Sequence, residues 1–264
     1  MSPARTGREA TPPGSAPAVI RAVAVLDTLA ASEATHLSLS DISRAIGVPK
    51  SSTASICTAL EMGGLLIRDE HGYSLGRRLV ELGGVYLSRM DRVREFYAAC
   101  AASEALAGET VRLWALGGID AICLGRYEGH PPVRLTTNIG DRVPASTSAA
   151  GKVMLAQFDD HEVRDLYHGR TSLPRLTARS HASLDELLQD LSATRRRGYG
   201  LDDEESAQDV VELAYVVPSR GMRSAVMAVS VTQHRSTFTA ALEAPLVSAL
   251  RAVAEGLGNP MQVV

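Results

Sequence analysis

Small polar residues between Lys50 and Thr58 have the chemistry to contact DNA. Apolar residues recur every three to four positions here and predict a helix that begins at Lys50 or Ser51. The positions expected to face inward are Thr53, Ile56, Cys57 and Leu60. Those expected to face outward are Lys50, Ser51, Ser52, Ala54, Ser55 and Thr58. An ammonium group, hydroxyls and the amides of a helix N-terminus all donate to phosphate oxygens, so this face predicts contact with DNA.

The residues before this helix predict a second helix that positions it. Ser40 is the expected capping residue, apolar side chains follow it at helical spacing, and Gly47 and Pro49 end the pattern. Two short helices joined by a tight turn are typical of a helix-turn-helix, whose second helix enters the major groove. Ser40 is therefore included among the candidate DNA-contacting residues.

A hairpin is predicted directly after the candidate recognition helix. Residues 65–67 and 73–75 are strand-like and flank a polar turn that contains Gly72. A hairpin in this position is a wing, and Arg68 on it is a further candidate phosphate contact, with Arg77 and Arg78 beyond it. Winged helices also serve as protein-interaction modules, and that alternative stays open. No Asn, Gln or Arg lies between Ser51 and Glu61, so base reading would rely on Lys50, Ser and Thr hydroxyls, Ala54 and DNA shape.

Composition restricts the class of protein. The chain has 264 residues, of which 45% are hydrophobic and 22% charged, which fits a two-domain globular protein without a membrane span. Residues 1–90 carry 9 Lys and Arg against 8 Asp and Glu, so any phosphate contacts depend on a few placed groups. Cys57, Cys100 and Cys123 lack the spacing of a zinc site or a disulfide framework and are expected to be core residues in a reducing cytoplasm.

The rest of the chain predicts an α+β domain after the wing. A first helix over 18–31 is expected to bury Ile20, Val23, Leu26 and Leu29, and a linker helix is expected over 77–90. Asp91 would cap a helix that runs to Leu106. Strands are expected over 110–116, 121–127, 132–138, 210–217 and 224–232, and helices over 148–156, 160–167, 183–197 and 245–257.

Two stretches, 139–156 (IGDRVPASTSAAGKVMLA) and 198–232, together with the PKSS turn at the candidate recognition helix, resemble the IclR family of bacterial transcription regulators. The resemblance covers about residues 18–258. It implies a winged helix-turn-helix, a linker helix and a C-terminal GAF-like domain whose pocket binds a small metabolite. It also implies a homodimer or a dimer of dimers. The expected boundaries are a disordered tail over 1–17, the DNA-binding domain over 18–76, the linker helix over 77–90 and the effector-binding domain over 91–264.

Residue chemistry gives a separate reason to expect a pocket near Ser148. Small side chains over 147–151 would let the amides of a helix N-terminus approach an anion, although a tight turn capped by Ser148 explains them equally. The acidic run 202–205 is by itself a solvated segment. Ser230 and Thr232, two apart on a strand, would direct their hydroxyls to one face. The pocket positions implied by the resemblance are Leu135, Ala149, Ala150, Asp202, Val210, Glu212, Ser230 and Thr232.

Several residues depart from the family pattern. Glu212 stands where a small uncharged residue is usual, Asp209 replaces a glycine, and Arg112 and Trp114 occupy a strand of smaller residues. A buried Glu212 would need Arg112 or a cationic ligand as its partner; alternatively it points to solvent. In the recognition helix, Ser55 replaces a common arginine.

The sequence thus predicts a cytoplasmic regulator that binds a palindromic double-stranded DNA operator under the control of a small polar metabolite. The alternative is a metal-responsive regulator that uses Asp202 and Glu212. The seven histidines show neither metal-type spacing nor a catalytic motif, so we expect no enzyme, no cofactor and no catalytic residue.

Overall fold

The computed structural model of the chain describes residues 16–129, 137–170, 172–219 and 226–258. Leu135, most of the expected strand over 132–138 and all but two residues of the expected tail over 1–17 lie outside the described residues. The chain divides into two compact units, Met1–Arg89 and Met90–Val264. The predicted α+β fold class, with an N-terminal winged helix-turn-helix, a linker helix and a C-terminal GAF-like domain, is confirmed.

The first unit contains four helices and a hairpin among its described residues. Its elements are α1 (Pro17–Ala31), α2 (Leu39–Ile46), α3 (Lys50–Met62), β1 (Leu66–Asp69), β2 (Gly72–Leu75) and α4 (Arg78–Ser88). The antiparallel strands β1 and β2 place Leu66 opposite Leu75 and Asp69 opposite Gly72. The predicted wing is therefore present, and α3 begins at the first of the two expected positions.

The turn between α2 and α3 is fixed by local chemistry. The expected cap at Ser40 is wrong: Ser38 caps α2 by accepting from the amide of Asp41, and Ser40 lies half-buried in the first turn. Ser38 fits better because its extended backbone precedes the helix and its hydroxyl also meets the Asp41 carboxylate. At the other end, Gly47 adopts a φ of 65°, a left-handed conformation that favours glycine.

The core of the first unit is formed by α1, α2, α3 and the hairpin. It contains Val25, Leu29, Ile42, Cys57, Leu60, Leu66 and Tyr73. The expected inward stripe of α1 is partly wrong, because Ile20 and Val23 are exposed and Val25 is buried in their place. The real stripe starts one turn later, since the beginning of α1 extends past the elements it packs against.

The second unit combines a six-stranded antiparallel sheet with five helices among its described residues. Its elements are α5 (Asp91–Ala102), β3 (Thr110–Gly117), β4 (Asp120–Glu128), β5 (Arg142–Pro144), α6 (Ala149–Leu155), α7 (Asp160–Leu166), α8 (Leu184–Arg197), β6 (Gly200–Asp203), β7 (Val210–Val217), β8 (Met227–His234) and α9 (Ala240–Gly258). The strand order is β5-β4-β3-β8-β7-β6. No helix of the described part is long and apolar enough to cross a membrane.

Two expectations about helix ends in this unit are wrong. Asp91 is the first residue of α5 rather than its cap, and α5 ends at Ala102 instead of Leu106. The expected start of the last helix at Pro245 is also wrong, because α9 begins at Ala240 and contains the proline in its second turn. Because proline has no amide hydrogen, α9 lacks the backbone hydrogen bond that this position would donate to Ala241.

The two faces of the sheet differ in what covers them. Side chains that alternate along β3, β7 and β8 put Leu113, Leu213 and Val229 on one face, which is packed by α5 and α9. The opposite face carries α6 and a core cluster that includes Trp114 and Met154. Polar residues are buried on this second face, which makes it the place to look for a binding site.

Candidate DNA-binding face and effector site

One side of α3 is left open by the packing of the first unit. Thr53, Cys57 and Leu60 are buried, as predicted, and Ile56 is half-buried. Lys50, Ser51, Ser55 and Thr58 are exposed, whereas Ser52 and Ala54 are half-buried on the same helix. No side chain in the described region caps the start of α3. Its first amides are thus free of side-chain caps at the same end as Lys50.

The wing adds a positively charged group. Arg68 is exposed on β1, and its guanidinium lies over the Tyr73 ring at 5.5 Å from the ring centre. At the hairpin turn, His36 Nε2 lies 3.0 Å from Asp69 Oδ2. Asp69 also accepts from the amides of His71 and Gly72, and these hydrogen bonds hold the pKa of Asp69 below its usual value. The candidate DNA contacts therefore lie on α3 and on strand β1 of the wing, except for Ser40, which lies on α2.

The second candidate site is a buried polar patch on the face of the sheet that α6 covers. Register places Asp202, Glu212, Thr232 and Thr110 in one row across four strands, and Ala214, Ser230 and Arg112 in the next. We call these seven residues, with Trp114, the polar patch. Ser230 and Thr232 do share one face, as predicted, and both are buried. Val210 belongs to the same face of β7 but is only half-buried at the end of the strand.

Glu212 points into the protein and not to solvent. Its Oε2 accepts from the Ala149 amide at 3.0 Å, and its Oε1 accepts from the Ser230 hydroxyl at 2.7 Å. Burial raises the pKa of Glu212, although these hydrogen bonds and the charge of Arg112 oppose the shift. The side chain thus occupies the helix N-terminus that was expected to be open to an anionic ligand.

Arg112 is not hydrogen-bonded to Glu212, which was its expected partner if that carboxylate was buried. Its Nη1 instead donates to Thr232 Oγ1 at 2.8 Å, and Trp114 Nε1 donates to Ser230 Oγ at 2.8 Å. Burial lowers the pKa of Arg112 and the charge of Glu212 raises it, so the two groups interact electrostatically across the patch. Arg112 and Trp114, which depart from the family pattern, thus each donate a hydrogen bond to a hydroxyl group of β8.

Asp202 is completely buried, so its interpretation as part of a solvated acidic run is wrong. Its Oδ1 accepts from the amides of Glu205 and Ser206, and its Oδ2 accepts from the Ser206 hydroxyl. Burial and the negative charge of Glu212 raise the pKa of Asp202 to about 7. The Asp202 carboxyl group therefore holds the turn after β6 through hydrogen bonds, in addition to its position in the polar patch.

The small residues of α6 are required by packing. A Cβ added to Gly151 would lie 2.3 Å from the Ala145 Cα, and one added to Gly200 would lie 2.1 Å from the Ala149 carbonyl oxygen. The Ser148 hydroxyl caps α6 by accepting from the Gly151 amide at 3.1 Å. Residues 147–151 thus form the tight turn capped by Ser148 that was the alternative to an anion-binding site.

A buried charge cluster behind α6 has no counterpart in the sequence-based predictions. The Lys152 ammonium donates to Asp190 Oδ2 at 2.7 Å and to Glu205 Oε1 at 2.5 Å. His181 Nε2 lies 3.1 Å from Asp190 Oδ2 and 3.4 Å from Glu205 Oε2. We call these four residues the charge cluster. The only sequence signal for it was the lysine that directly follows the small residues of α6.

The charges of the cluster shift one another's ionisation. The hydrogen bond with Asp190 raises the pKa of His181. Burial alone would raise the pKa of Asp190, but His181 and Lys152 bring it down to about 2. Burial raises the pKa of Glu205. The cluster thus pairs two cationic groups with two carboxylates when His181 is protonated.

Within the described residues, one group has the composition of a metal site, namely His181, Asp190 and Glu205. It does not include Asp202 or Glu212, whose oxygens accept from amides and hydroxyls. The Lys152 ammonium already contacts both carboxylates of the group, at the position a metal ion would need. The geometry does not favour the metal-responsive alternative.

The fold and the two sites define a DNA-binding transcription regulator with a separate effector domain. Residues 18–70 match the model of the IclR helix-turn-helix domain, and residues 85–259 match that of the bacterial transcriptional regulator IclR C-terminal domain. The chain belongs to the IclR family.

Similarity to individual proteins agrees with this assignment. The regulator XynR of Escherichia coli is 32% identical over 194 residues, which are 73% of this chain and 76% of XynR. An IclR transcriptional regulator from Alicyclobacillus acidocaldarius superposes with a TM-score of 0.80 at 24% identity, covering 92% of this chain and 98% of that one. An IclR homologue from Microbacterium hydrocarbonoxydans, solved with 4-hydroxybenzoate, has a TM-score of 0.74 at 23% identity, covering 91% and 97%.

Proposed function

We propose that the protein is a sequence-specific transcription regulator whose binding to a DNA operator is controlled by a small polar metabolite held at the polar patch. The observation that carries the proposal is the combination of an exposed polar face on α3 with a buried polar patch in a separate unit. As a regulator of transcription it would act in the cytoplasm, where the DNA is.

Operator recognition is assigned to α3 and the wing. Lys50, Ser51, Ser52, Ser55 and Thr58 would contact phosphates and base edges, and Ala54 would add apolar contact in the groove. Arg68 would bind a phosphate beside the wing, and Ser40 would do so from α2. Since the exposed face of α3 carries no Asn, Gln or Arg for a bidentate contact with a base, sequence-dependent DNA shape would supply part of the specificity.

Effector control is assigned to the second unit. Asp202, Glu212, Ser230 and Thr232 would form the polar wall of the site, and Ala149, Ala150 and Val210 its apolar wall. Leu135 is retained as a candidate from the sequence alone. The 4-hydroxybenzoate complex of the Microbacterium homologue supports a small organic ligand for this protein.

A homodimer, or a dimer of dimers, is the assembly that this function requires. Leu82, Val85 and Tyr86 leave one side of α4 apolar and exposed. A second copy of the chain is the proposed partner, because a two-fold dimer presents two recognition helices to a palindromic operator. Phe96 on α5 is buried in the second unit and is not part of this exposed surface.

Replacing Lys50 by Ala tests the DNA-binding part of the proposal. Loss of one phosphate contact should weaken binding to all duplexes and lower the slope of log K against log salt by roughly 0.9 per recognition helix. The measurement is a fluorescence anisotropy titration at several salt concentrations, on duplexes enriched from genomic fragments.

Arg164→Ala is the matched control, because it removes the same charge from an exposed site in the other unit. It should leave both the affinity and the slope unchanged. Equal affinity and slope for Lys50→Ala and the wild type would remove Lys50 from the interface.

A further inference from the structure

The buried guanidinium of Arg112 has one edge without a partner. Nη1 donates to Thr232, whereas Nε and Nη2 have no acceptor in the described part of the chain. The residue is only 3% exposed, so solvent does not satisfy these donors. Nε and Nη2 form the side-on pair of parallel donors that matches the two oxygens of a carboxylate.

Two residues that neighbour Arg112 in the sheet also carry unsatisfied polar atoms. Thr110 Oγ1 and Arg126 Nε are also buried without a partner among the described residues. Thr110 is two residues before Arg112 on β3 and shares its face, and Arg126 stands directly opposite Arg112 on β4. Buried polar groups are rarely left unpaired, so three adjacent residues with free polar atoms indicate a place that a ligand completes.

The alternative anion site, at the start of α6, is occupied by the protein itself. The Glu212 carboxylate accepts from the Ala149 amide and from Ser230, and it lies where a ligand carboxylate would have to bind. Arg126 is ion-paired with Glu128 at 2.7 Å through Nη2. Arg112 interacts with Glu212 through charge alone, and its Nε and Nη2 donors stay unmatched among the described residues.

We infer that Arg112 anchors a small organic monocarboxylate, which binds through both of its oxygens to Nε and Nη2. The inference deepens the proposed function and rests on it, because it names the class of effector and the residue that selects it. It also assigns a role to an arginine that departs from the family pattern.

Binding is measured by calorimetry on the full-length chain without DNA, using acetate, pyruvate and benzoate as probes. Trp114 gives a local readout by fluorescence, because it is the only tryptophan and lies two residues from Arg112 on the same face of β3. At least one carboxylate should bind, and its uncharged amide should not. Failure of all three carboxylates to bind, or equal binding of inorganic phosphate, would overturn the inference.

Arg112→Lys keeps the charge but removes the bidentate edge, so it should weaken carboxylate binding at least tenfold. Arg142→Lys is the matched control, because this arginine is half exposed and pairs with Asp120 at the edge of the sheet. It should bind like the wild type. The midpoint temperature of thermal unfolding of the wild type should also rise in saturating carboxylate. This measurement tests binding without a substitution.

Glu212→Gln distinguishes the two anion positions. If Arg112 holds the carboxylate, Glu212→Gln should bind it at least as well as the wild type, and adding Arg112→Lys should abolish that binding. Retained binding in the double variant would place the anion at α6 and overturn the inference. Binding of the wild type to operator DNA is assayed separately. If the wild type binds no DNA, the proposed function is rejected, whereas the carboxylate measurements alone decide the inference about Arg112.

Discussion

Asp202→Asn isolates the free-energy cost of a carboxylate that is buried beside another one. The pKa of Asp202 rises from 3.8 to about 7 through burial and the charge of Glu212. The folded state therefore holds a proton that the unfolded state has lost. This contribution to stability is fully present below pH 3.8 and disappears as the pH rises through 7. Each pKa unit is equivalent to 1.36 kcal/mol, so the wild type should lose about 4 kcal/mol between pH 4 and 8 through this group.

The asparagine variant should lack this loss. Its Oδ1 can still accept from the amides of Glu205 and Ser206, so the fold of the turn is preserved. Urea denaturation followed by Trp114 fluorescence reports on the second unit, and the stability of the variant relative to wild type should rise by about 4 kcal/mol from pH 4 to 8. Asp185→Asn, at an exposed position of α8 whose partner is Arg164, should show a flat difference. A flat difference for Asp202→Asn as well would refute the reasoning.

The remaining predictions concern packing, charge and assembly. Lys152→Met leaves the buried Glu205 and the half-buried Asp190 without their ammonium partner and should lower the free energy of unfolding in urea by about 3–5 kcal/mol. Arg164→Met, which breaks an exposed pair, should lower it by less than about 1 kcal/mol. Gly151→Ala should lower the free energy of unfolding by about 1–3 kcal/mol, because the added Cβ would clash with backbone atoms of Ala145. Gly83→Ala, which has open space around it in α4, should raise the free energy of unfolding by about 0.5–1 kcal/mol. Light scattering at micromolar concentration should give about 56 kDa or a multiple of it, from chains of 28.0 kDa, and Tyr86→Glu should reduce the mass; a wild-type monomer would contradict the proposed interface.

Local patterns predicted the elements of the first unit, although the inward stripe of α1 was partly wrong. The start of α3, its buried stripe and the wing followed from apolar spacing and from glycine in the turn, because each of these depends on neighbours within a few residues. The errors at Ser40 and at Asp91 are shifts of one or two positions at helix ends. Several side chains can cap there, and only the backbone conformation selects among them.

The second unit was predictable in its order of elements but not in its site. Strand β6 was missed because Gly200–Asp203 is short and acidic, and its burial depends on pairing with β7. Asp209 replaces a glycine at a backbone φ of 59°, which the sequence alone does not reveal. Lys152 meets carboxylates 38 and 53 positions further along the chain, and no local pattern brings such groups together.

The central claim is that α3 reads a specific DNA sequence, and selection from random duplexes tests it most directly. The full-length protein should enrich an imperfect palindrome with half-sites about one or more helical turns apart. A chain with Ser51→Glu and Ser55→Glu, which places negative charge on the exposed face of α3, should keep its helical content and enrich nothing. Enrichment of the same sequence by both proteins, or of no sequence by the wild type, would contradict the account.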